Sequence, residues 1–353
     1  MENIKSRLKN SDKNSMMLLL IAVLIFGVMA VLAPSSFLGI KNIQGMCTQF
    51  PEFGLISFGM MLAMISGGID LSLVGIANFS GITAAYIMVK MGGGPVSILL
   101  GCIAAVIVGA LCGCFNGFMI GYLQIPAMLV TLCGLQLYTG CGLMITKGPA
   151  ITGLPEGYSI LGNGTLAGVP IAFILFILGA LLVSFLLRST VYGQHVRYMG
   201  TNSMASRYSG INNLAVTIKT YAVSGVLGSL AGLIMVSRYN SAKTDYGSSY
   251  TLLSLLIVVL GGTNPDGGKG SVVGVLLSVI VLQLVSSAFN IMRVDSSLKT
   301  FVWGVILIVV IVIGQGLEKG IKVLVKDYTE EGYSKETILT KLSKGFSLTP
   351  EDS

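Results

Sequence analysis

Long apolar runs, separated by short breaks rich in glycine, proline and polar residues, dominate the sequence. A membrane-spanning helix needs roughly 20 predominantly apolar residues, and segments close to that length recur along the chain. They predict about ten transmembrane helices, at residues 16–33, 43–66, 71–89, 96–122, 126–145, 169–187, 216–236, 250–260, 272–289 and 298–313. The predicted fold class is therefore all-α and polytopic. The segment 250–260 is too short to span alone, so a broken or short helix is expected near each Gly-Gly pair of the chain.

Polar segments flank and interrupt this apolar region. Residues 1–15 predict a polar N-terminal tail, residues 16–316 a membrane domain, and residues 317–353 a mixed-charge C-terminal tail. The run at 16–33 is long for a cleaved signal peptide, so it is predicted to be a retained first span. The largest interruption, at 188–219, is a hydrophilic segment that must lie in water on one side of the membrane.

Composition excludes several classes of protein. The chain is 53% hydrophobic and 10% charged, with a mean hydropathy of +0.84, whereas soluble domains carry about 25% charged residues. A single histidine, His195, leaves multi-histidine metal chemistry and Ser-His-Asp catalysis almost nothing to use. The 46 glycines suit close helix packing in lipid, and the six cysteines are expected to be small buried hydrophobic residues.

The distribution of basic residues predicts the orientation in the membrane. With ten spans, the segments 1–15, 122–125, 188–219, 261–271 and 314–353 share one side and hold fifteen of the 22 lysines and arginines. Positive charge concentrates on the cytoplasmic side of membrane proteins. Both termini and the segment 188–219 are therefore predicted to be cytoplasmic.

A short helix inside this cytoplasmic segment has the features of a docking element. Asn202 can cap its N-terminus and Gly210 can close its C-terminus, which leaves a helix of about two turns at residues 203–209. Met204, Arg207 and Tyr208 then share one face, because residues three and four apart are neighbours on a helix. We predict that a partner protein docks here and that the rest of the chain moves a solute in response.

Two glycine pairs interrupt the apolar pattern. Gly67 and Gly68 precede Asp70, and Gly261 and Gly262 precede Asp266. On one interpretation these segments are irregular backbone at membrane depth, where an aspartate marks a functional site. On the other they are tight interfacial turns whose aspartates cap the next helix.

The sequence GGKGS at 267–271 is not a phosphate-binding loop. The pattern G-x-x-x-x-G-K-S/T requires a glycine at position 263 and a hydroxyl at position 270, but the chain has Thr263 and Gly270. No ATP-binding strand–loop–helix pattern occurs elsewhere. If nucleotide energy drives this protein, another polypeptide must hydrolyse the nucleotide.

Polar residues within the spans are candidates for solute contacts. Amide side chains both donate and accept hydrogen bonds, so they suit a neutral, hydroxyl-rich ligand. The alternative is that they form hydrogen bonds between helices. Among acidic residues, only Asp70 is a serious candidate for a carboxylate deep in the spans. The full set of path candidates is Asp70, Asn78, Asn116, Gln136, Gln283 and Asn290.

An ordered set of short motifs resembles the permease subunit of bacterial ATP-binding-cassette (ABC) importers for simple sugars, the ribose, galactose and xylose group. The motifs run in order over about residues 40–315. They are SGGIDLS at 66–72, FNG at 115–117, IP at 125–126, LVTL at 129–132, GPAITGLP at 148–155, GTN at 200–202 with Ala205, SGI at 209–211 and VLGGT at 259–263.

The resemblance implies partners and a location. Such permeases work in the bacterial inner membrane as two copies or close paralogues. They work with a cytoplasmic ATPase that uses ATP and magnesium, and with a periplasmic or lipid-anchored substrate-binding protein received here by residues 147–168. The chain itself would bind no cofactor, metal or nucleic acid. The resemblance also implies a coupling loop at 188–213 containing Gly200, Asn202, Met204, Ala205, Arg207, Tyr208 and Gly210. Many importers have Glu-Ala-Ala in this loop, whereas this chain has Ser203-Met204-Ala205.

Three alternatives remain at this point. A secondary transporter driven by an ion gradient would need paired acidic residues deep in the spans. An intramembrane enzyme would need a base–nucleophile pair or a metal set. A permease of the same family for a nucleoside or a furanosyl signalling molecule would have the same motifs, because the binding protein largely sets specificity in such systems.

Overall fold

Helices make up almost all of the regular structure. The computed structural model describes residues 2–295, 297–309 and 312. The last of its helices, α14, covers Ser297–Val309, and the short antiparallel strands β1 and β2 cover Thr165–Leu166 and Val169–Pro170. The other helices are α1 Glu2–Leu32, α2 Pro34–Phe37, α3 Ile40–Ile65, α4 Leu73–Lys90, α5 Pro95–Gly121, α6 Ala127–Thr146, α7 Glu156–Asn163, α8 Ile171–Ser189, α9 Val191–Thr201, α10 Ser203–Tyr208, α11 Asn213–Tyr239, α12 Tyr250–Leu260 and α13 Val272–Ile291.

The predicted all-α polytopic fold is confirmed within the described residues. Eight helices are long and apolar enough to cross a membrane, and α12 and α14 are shorter apolar helices at the eighth and tenth predicted spans. The helix α1 begins at Glu2, so the described residues of the predicted N-terminal tail continue the first helix. The predicted C-terminal tail, 317–353, lies outside the described residues.

The chain divides into two compact units, Met1–Thr300 and Phe301–Ser353. The described part of the second unit continues α14. In the first unit α11 is central and packs against α3, α4, α5 and α7. It has 27 residues, so it is about 40 Å long at 1.5 Å per residue. This length lets one helix connect the two ends of the unit.

Glycines allow α5 and α11 to approach closely. A methyl group at Gly109 would lie 2.6 Å from the carbonyl oxygen of Gly225, and one at Gly117 would lie 2.7 Å from the Cα of Ile218. A methyl group at Gly113 would overlap the backbone of α11. These three glycines recur at every fourth residue, which places them on one face of α5. The predicted use of glycine in close helix packing is thus confirmed at this pair.

The connecting segments form two faces at opposite ends of α11. The island face comprises residues 191–212 with the turn 261–271. The turn 66–72 adjoins this face at Gly67 and reaches along α11 to Ser224, which bonds to Asp70. The hairpin face comprises residues 147–170, which contain α7 and the strand pair, with the loop 240–249. The backbone of Ile151 pairs with that of Ala242 through two hydrogen bonds of 2.9 Å. The hairpin face is therefore a composite of two sequence segments.

Both Gly-Gly segments are tight turns that end helices in the same way. Gly67 and Gly262 have φ angles of +93° and +80°, and the next residue in each case donates to a carbonyl five positions earlier. This is the Schellman arrangement, which favours glycine at the left-handed position. The expectation that the aspartates cap the next helices is wrong. The side chain of Ser271 caps α13, and α4 has no side-chain cap.

Candidate functional site

The helix α10 has the predicted ends. The side-chain oxygen of Asn202 accepts a hydrogen bond from the backbone N–H of Ala205 at 2.9 Å. Gly210 follows the helix with a φ angle of +83°, and its N–H donates to the carbonyl oxygen of Arg207. The predicted N-cap and C-terminal glycine are therefore confirmed, and the helix ends one residue earlier than predicted.

The exposed side of α10 combines apolar, aromatic and cationic side chains. Met204 and Tyr208 are 61% and 85% exposed, and Arg207 is also exposed. In the neighbouring helix α9, burial and then the positive charge of Arg188 lower the pKa of Arg197. The island face is thus locally positive and suits a partner with acidic groups and an apolar pocket.

A side-chain bridge fixes α10 to the first turn of α11. The hydroxyl of Ser206 donates to the side-chain oxygen of Asn213 at 2.8 Å. The side-chain N–H of Asn213 donates to the carbonyl oxygen of Ser203, also at 2.8 Å. Ser206 is buried although its neighbours on α10 are exposed. The helix α10 is therefore bonded directly to the central helix.

Three turns meet behind α10 with almost no side chain between them. The N–H of Gly268 donates to the carbonyl oxygen of Ile65, the last residue of α3, at 2.9 Å. A methyl group at Gly267 would lie 2.6 Å from the carbonyl oxygen of Gly200 and 2.9 Å from the Cα of Gly67. We call these five residues the glycine junction. It joins the end of α3, the end of α9 and the turn between α12 and α13 by backbone contact.

The other singled-out glycines lie near this junction. Gly68 lies beside the hydroxyl of Tyr221, so a methyl group there would overlap it. Gly261 packs against the start of α13, where a methyl group would lie 2.8 Å from the backbone nitrogen of Val275. Together with Gly262, these residues shape the two turns. Their structural role was predicted, but the meeting of the turns with Gly200 was not.

Asp70 belongs to a buried hydrogen-bond network. One carboxylate oxygen accepts from the hydroxyl and the backbone N–H of Ser72, at 2.6 and 3.1 Å. The other accepts from the hydroxyl of Ser224 on α11 at 3.0 Å. The hydroxyl of Ser72 accepts from the amide of Asn116, which accepts from the hydroxyl of Tyr138 at 2.7 Å. The network ties α4, α5, α6 and α11 together next to the glycine junction.

Two other path candidates are buried. Asn78 donates to the carbonyl oxygens of Thr244 and Tyr246, at 2.8 and 2.9 Å, and so holds the loop 240–249 against α4. Gln283 lies between α13 and α3 and donates to Gln49 at 3.4 Å. Like Asp70 and Asn116, they contact other parts of the chain in this structure. Their role as solute contacts stays a prediction.

The remaining two path candidates are exposed. Asn290 lies in the last turn of α13 and accepts a hydrogen bond from Lys299. Gln136 lies at the middle of α6 with its side chain exposed. Cys133, one turn away, is also exposed, which corrects the expectation that the cysteines are buried. The structure therefore does not bring the six path candidates together at one place.

Glu52 in α3 is a buried carboxylate that was not among the predicted site residues. Glu52 is fully buried and pairs with Arg238 at the end of α11 across 2.7 Å. The hydroxyls of Tyr250 and Tyr239 donate to its other oxygen at 2.9 and 3.5 Å. The expectation that Asp70 is the only serious carboxylate within the spans is wrong. The signal was a glutamate after Pro51 inside an otherwise uncharged run.

Comparison with known proteins decides the family. Residues 42–311 match the family described as branched-chain amino acid transport system / permease component. The chain belongs to this family. No solved structure matches this permease. Together with the sugar-import relatives described next, this family match confirms the resemblance drawn from the ordered sequence motifs.

Two known import permeases are similar in sequence to most of this permease. It is 34% identical to the ribose import permease protein RbsC of Bacillus subtilis strain 168 over 288 residues, which is 81% of this chain and 88% of that protein. It is 31% identical to the autoinducer 2 import system permease protein LsrD of Yersinia pseudotuberculosis over 302 residues, which is 84% and 88% of the two chains. The family match, at residues 42–311, includes both Gly-Gly turns, α10 and Glu52.

Proposed function

We propose that this permease is the translocating subunit of an ABC importer for a monosaccharide. A separate cytoplasmic ATPase docks on the island face and drives alternating access. The observation that carries this proposal is the exposed, cationic α10, which is bonded to the central helix through Ser206 and Asn213. The similarity to a ribose import permease supports a sugar as the solute.

The mechanism follows from the contacts behind α10. A push on α10 moves the first turn of α11, because their side chains are hydrogen-bonded. The same push reaches α3 and the turn before α13 through the glycine junction. The helix α3 has 26 residues, about 39 Å in length, and its carboxylate Glu52 holds the far end of α11. Movement at the island face is thus transmitted to the hairpin face by two packed helices.

The orientation proposed places the island face and both termini in the cytoplasm. Fifteen of the 22 lysines and arginines then lie inside, as positive-inside charge requires. The hairpin face lies outside, where residues 147–168 and the loop bonded to them can receive a substrate-binding protein. This also gives the docked ATPase access to cytoplasmic ATP and magnesium.

Reversing the charge on α10 tests the proposal. Arg207→Glu should lower ATP-driven uptake of ribose by the reconstituted complex at least about tenfold, because like charges facing each other at an interface cost several kcal/mol. The fold should be unaffected, since Arg207 is exposed and forms no ion pair with any residue that the structure describes. The readouts are labelled-ribose uptake in proteoliposomes and co-purification of the ATPase.

Lys147→Glu is the matched control, because Lys147 is an exposed cation on the hairpin face. It should leave ATPase binding unchanged. If Arg207→Glu retains both uptake and the ATPase while the control behaves in the same way, the docking surface does not lie on α10.

The position of Gln136 supports a second copy of this chain as a partner. Apart from Arg188 in the last turn of α8, the exposed large side chains of α5 and α8 are apolar, as expected for surfaces that face lipid. The exposed face of α6 instead carries the amide of Gln136 near mid-span, where an unpaired polar group costs free energy. Across a two-fold axis the same amide can donate to and accept from its copy. We therefore place the second copy on this face.

Cysteine cross-linking measures this placement. Cys133 is exposed on the same face as Gln136, so a short bismaleimide should link two permeases through it in membranes. The product should run at twice 37.0 kDa and should disappear in Cys133→Ser. In that background, Leu181→Cys places a thiol on the exposed side of α8 and should give no dimer. A dimer with Leu181→Cys and none through Cys133 would show that the second copy contacts α8 and not α6.

A furanosyl signalling molecule is the second candidate solute. The similarity to an autoinducer 2 import permease favours it, and a nucleoside shares the same furanose ring. An excess of unlabelled autoinducer 2 should not slow labelled-ribose uptake if a monosaccharide is the transported solute. Strong competition would favour the signalling molecule.

A further inference from the structure

The loop between α11 and α12 surrounds an open cavity on the hairpin face. Its volume is about 540 Å³, which lies within the range of about 300–1,000 Å³ of small-molecule pockets. Most of the lining side chains carry a hydroxyl, and none of them is charged. The lining residues are Tyr239, Gly247, Ser248, Ser249, Tyr250, Leu252 and Thr300.

The two tyrosines of this cavity are held from behind by Glu52. The hydroxyls of Tyr250 and Tyr239 both donate to the same carboxylate oxygen, and the other oxygen is neutralised by Arg238. Tyr239 also packs against Tyr246, with 4.9 Å between the ring centroids. Tyr250 is buried and packs edge-on against Phe53, whereas Tyr239 is 42% exposed, so the ring of Tyr239 is the aromatic surface left for a ligand.

The loop that closes the cavity is fixed by its own hydrogen bonds. Asn78 binds the carbonyl oxygens of Thr244 and Tyr246, and the hydroxyl of Ser248 donates to the carbonyl oxygen of Asp245 at 2.6 Å. A cavity whose walls are already ordered binds a ligand with little loss of conformational entropy. Within the described part of the chain the hydroxyl of Ser249 forms no hydrogen bond, so it leaves a donor and an acceptor at the cavity wall.

We propose that this cavity is a binding site for a neutral, hydroxyl-rich solute of monosaccharide size. The ring of Tyr239 offers apolar contact to the C–H face of a sugar. The hydroxyl of Ser249 can donate to and accept from the sugar hydroxyls, and that of Ser248 can accept from them. An ion is disfavoured because no lining side chain is charged and the carboxylate behind the wall is already paired. The inference rests on the proposed function, since that function places the hairpin face where the solute arrives.

The experiment measures D-ribose binding to the permease–ATPase complex in nanodiscs by saturation-transfer difference NMR. The substrate-binding protein is left out, because it would bind the sugar itself. Ser249→Leu fills the cavity without breaking a side-chain hydrogen bond among the described residues, and Ser248→Leu is a second substitution at a more exposed residue. Each should weaken ribose binding at least about tenfold, a loss of about 1.4 kcal/mol.

The matched control is Thr152→Leu, which adds the same bulk to an exposed residue of the hairpin face outside the cavity. It should bind ribose as the wild type does. Gel filtration reports on the fold, and at least one folded serine variant is needed for the comparison. If the folded serine variants bind ribose like the control while the wild type imports it, the cavity site is refuted and the proposed function stands. If the wild type neither binds nor imports ribose, xylose or galactose, both are refuted.

Discussion

Replacing Gly200 with alanine should abolish ATP-driven uptake and destabilise the permease. The added methyl group would overlap the carbonyl oxygen of Ile65 and lie 2.6 Å from the backbone nitrogen of Gly268. Both neighbours are backbone atoms, so no side-chain rotation relieves the overlap. Overpacking a well-packed site costs about 1–3 kcal/mol, and we expect the upper end of that range. Thermal unfolding in detergent and ribose uptake in proteoliposomes are the measurements.

Gly45→Ala is the matched control, because a methyl group at Gly45 meets no atom within 4 Å. It lies in α3, the same helix whose carbonyl oxygen Gly200 approaches. This variant should unfold at the wild-type temperature or slightly above it, since alanine favours helix over glycine. Normal uptake and stability in Gly200→Ala would show that the glycine junction can open without cost, and it would remove the junction from the mechanism.

The spans were predictable from the sequence because lipid imposes one simple requirement. Every backbone polar group in the hydrocarbon must be satisfied within its own helix, so long apolar runs become helices at nearly the expected positions. The helix α10 was predictable for a different reason. Asn202 caps the N-terminus of α10 and Gly210 ends the helix, and both residues lie directly beside it in the sequence.

The connecting elements escaped prediction. The helices α7 and α9 and the β1–β2 pair lie in polar segments, where no long apolar run marks them. The buried side of α7 is defined by its contacts with α11. Tyr158 donates to the carbonyl oxygen of Leu233, and the N–H of Gly162 donates to the hydroxyl of Ser237. These contacts join residues about 75 positions apart, a separation that sequence periodicity does not encode.

The arrangement of the candidate site was also not predictable from the sequence, because it depends on contacts between residues far apart in the chain. Both Gly-Gly motifs stood out in the sequence, but the contacts of Gly67 and of Gly267 and Gly268 with Gly200 depend on how α3, α9 and α12 pack. Glu52 was overlooked because its partner Arg238 is 186 positions away and was assigned to a loop outside the membrane. A carboxylate at membrane depth is therefore a reason to look for distant partners, either an opposite charge, as Arg238 is for Glu52, or hydrogen-bond donors, as Ser224 is for Asp70.

Replacing Glu52 with alanine should lower the free energy of unfolding by about 3–5 kcal/mol, the cost of removing one partner of a buried ion pair. Arg238, whose side chain is 23% exposed, would lose its counter-charge, and Tyr250 would lose the acceptor of its buried hydroxyl. Glu52→Gln keeps an acceptor for Tyr250 and should cost less. Glu156→Ala, which removes an exposed carboxylate from the hairpin face, is the control and should unfold like the wild type. Thermal unfolding in detergent ranks the variants. Equal stability of Glu52→Ala and Glu156→Ala would mean that the bonds of Glu52 to Arg238 and Tyr250 do not hold α3 to the ends of α11 and α12.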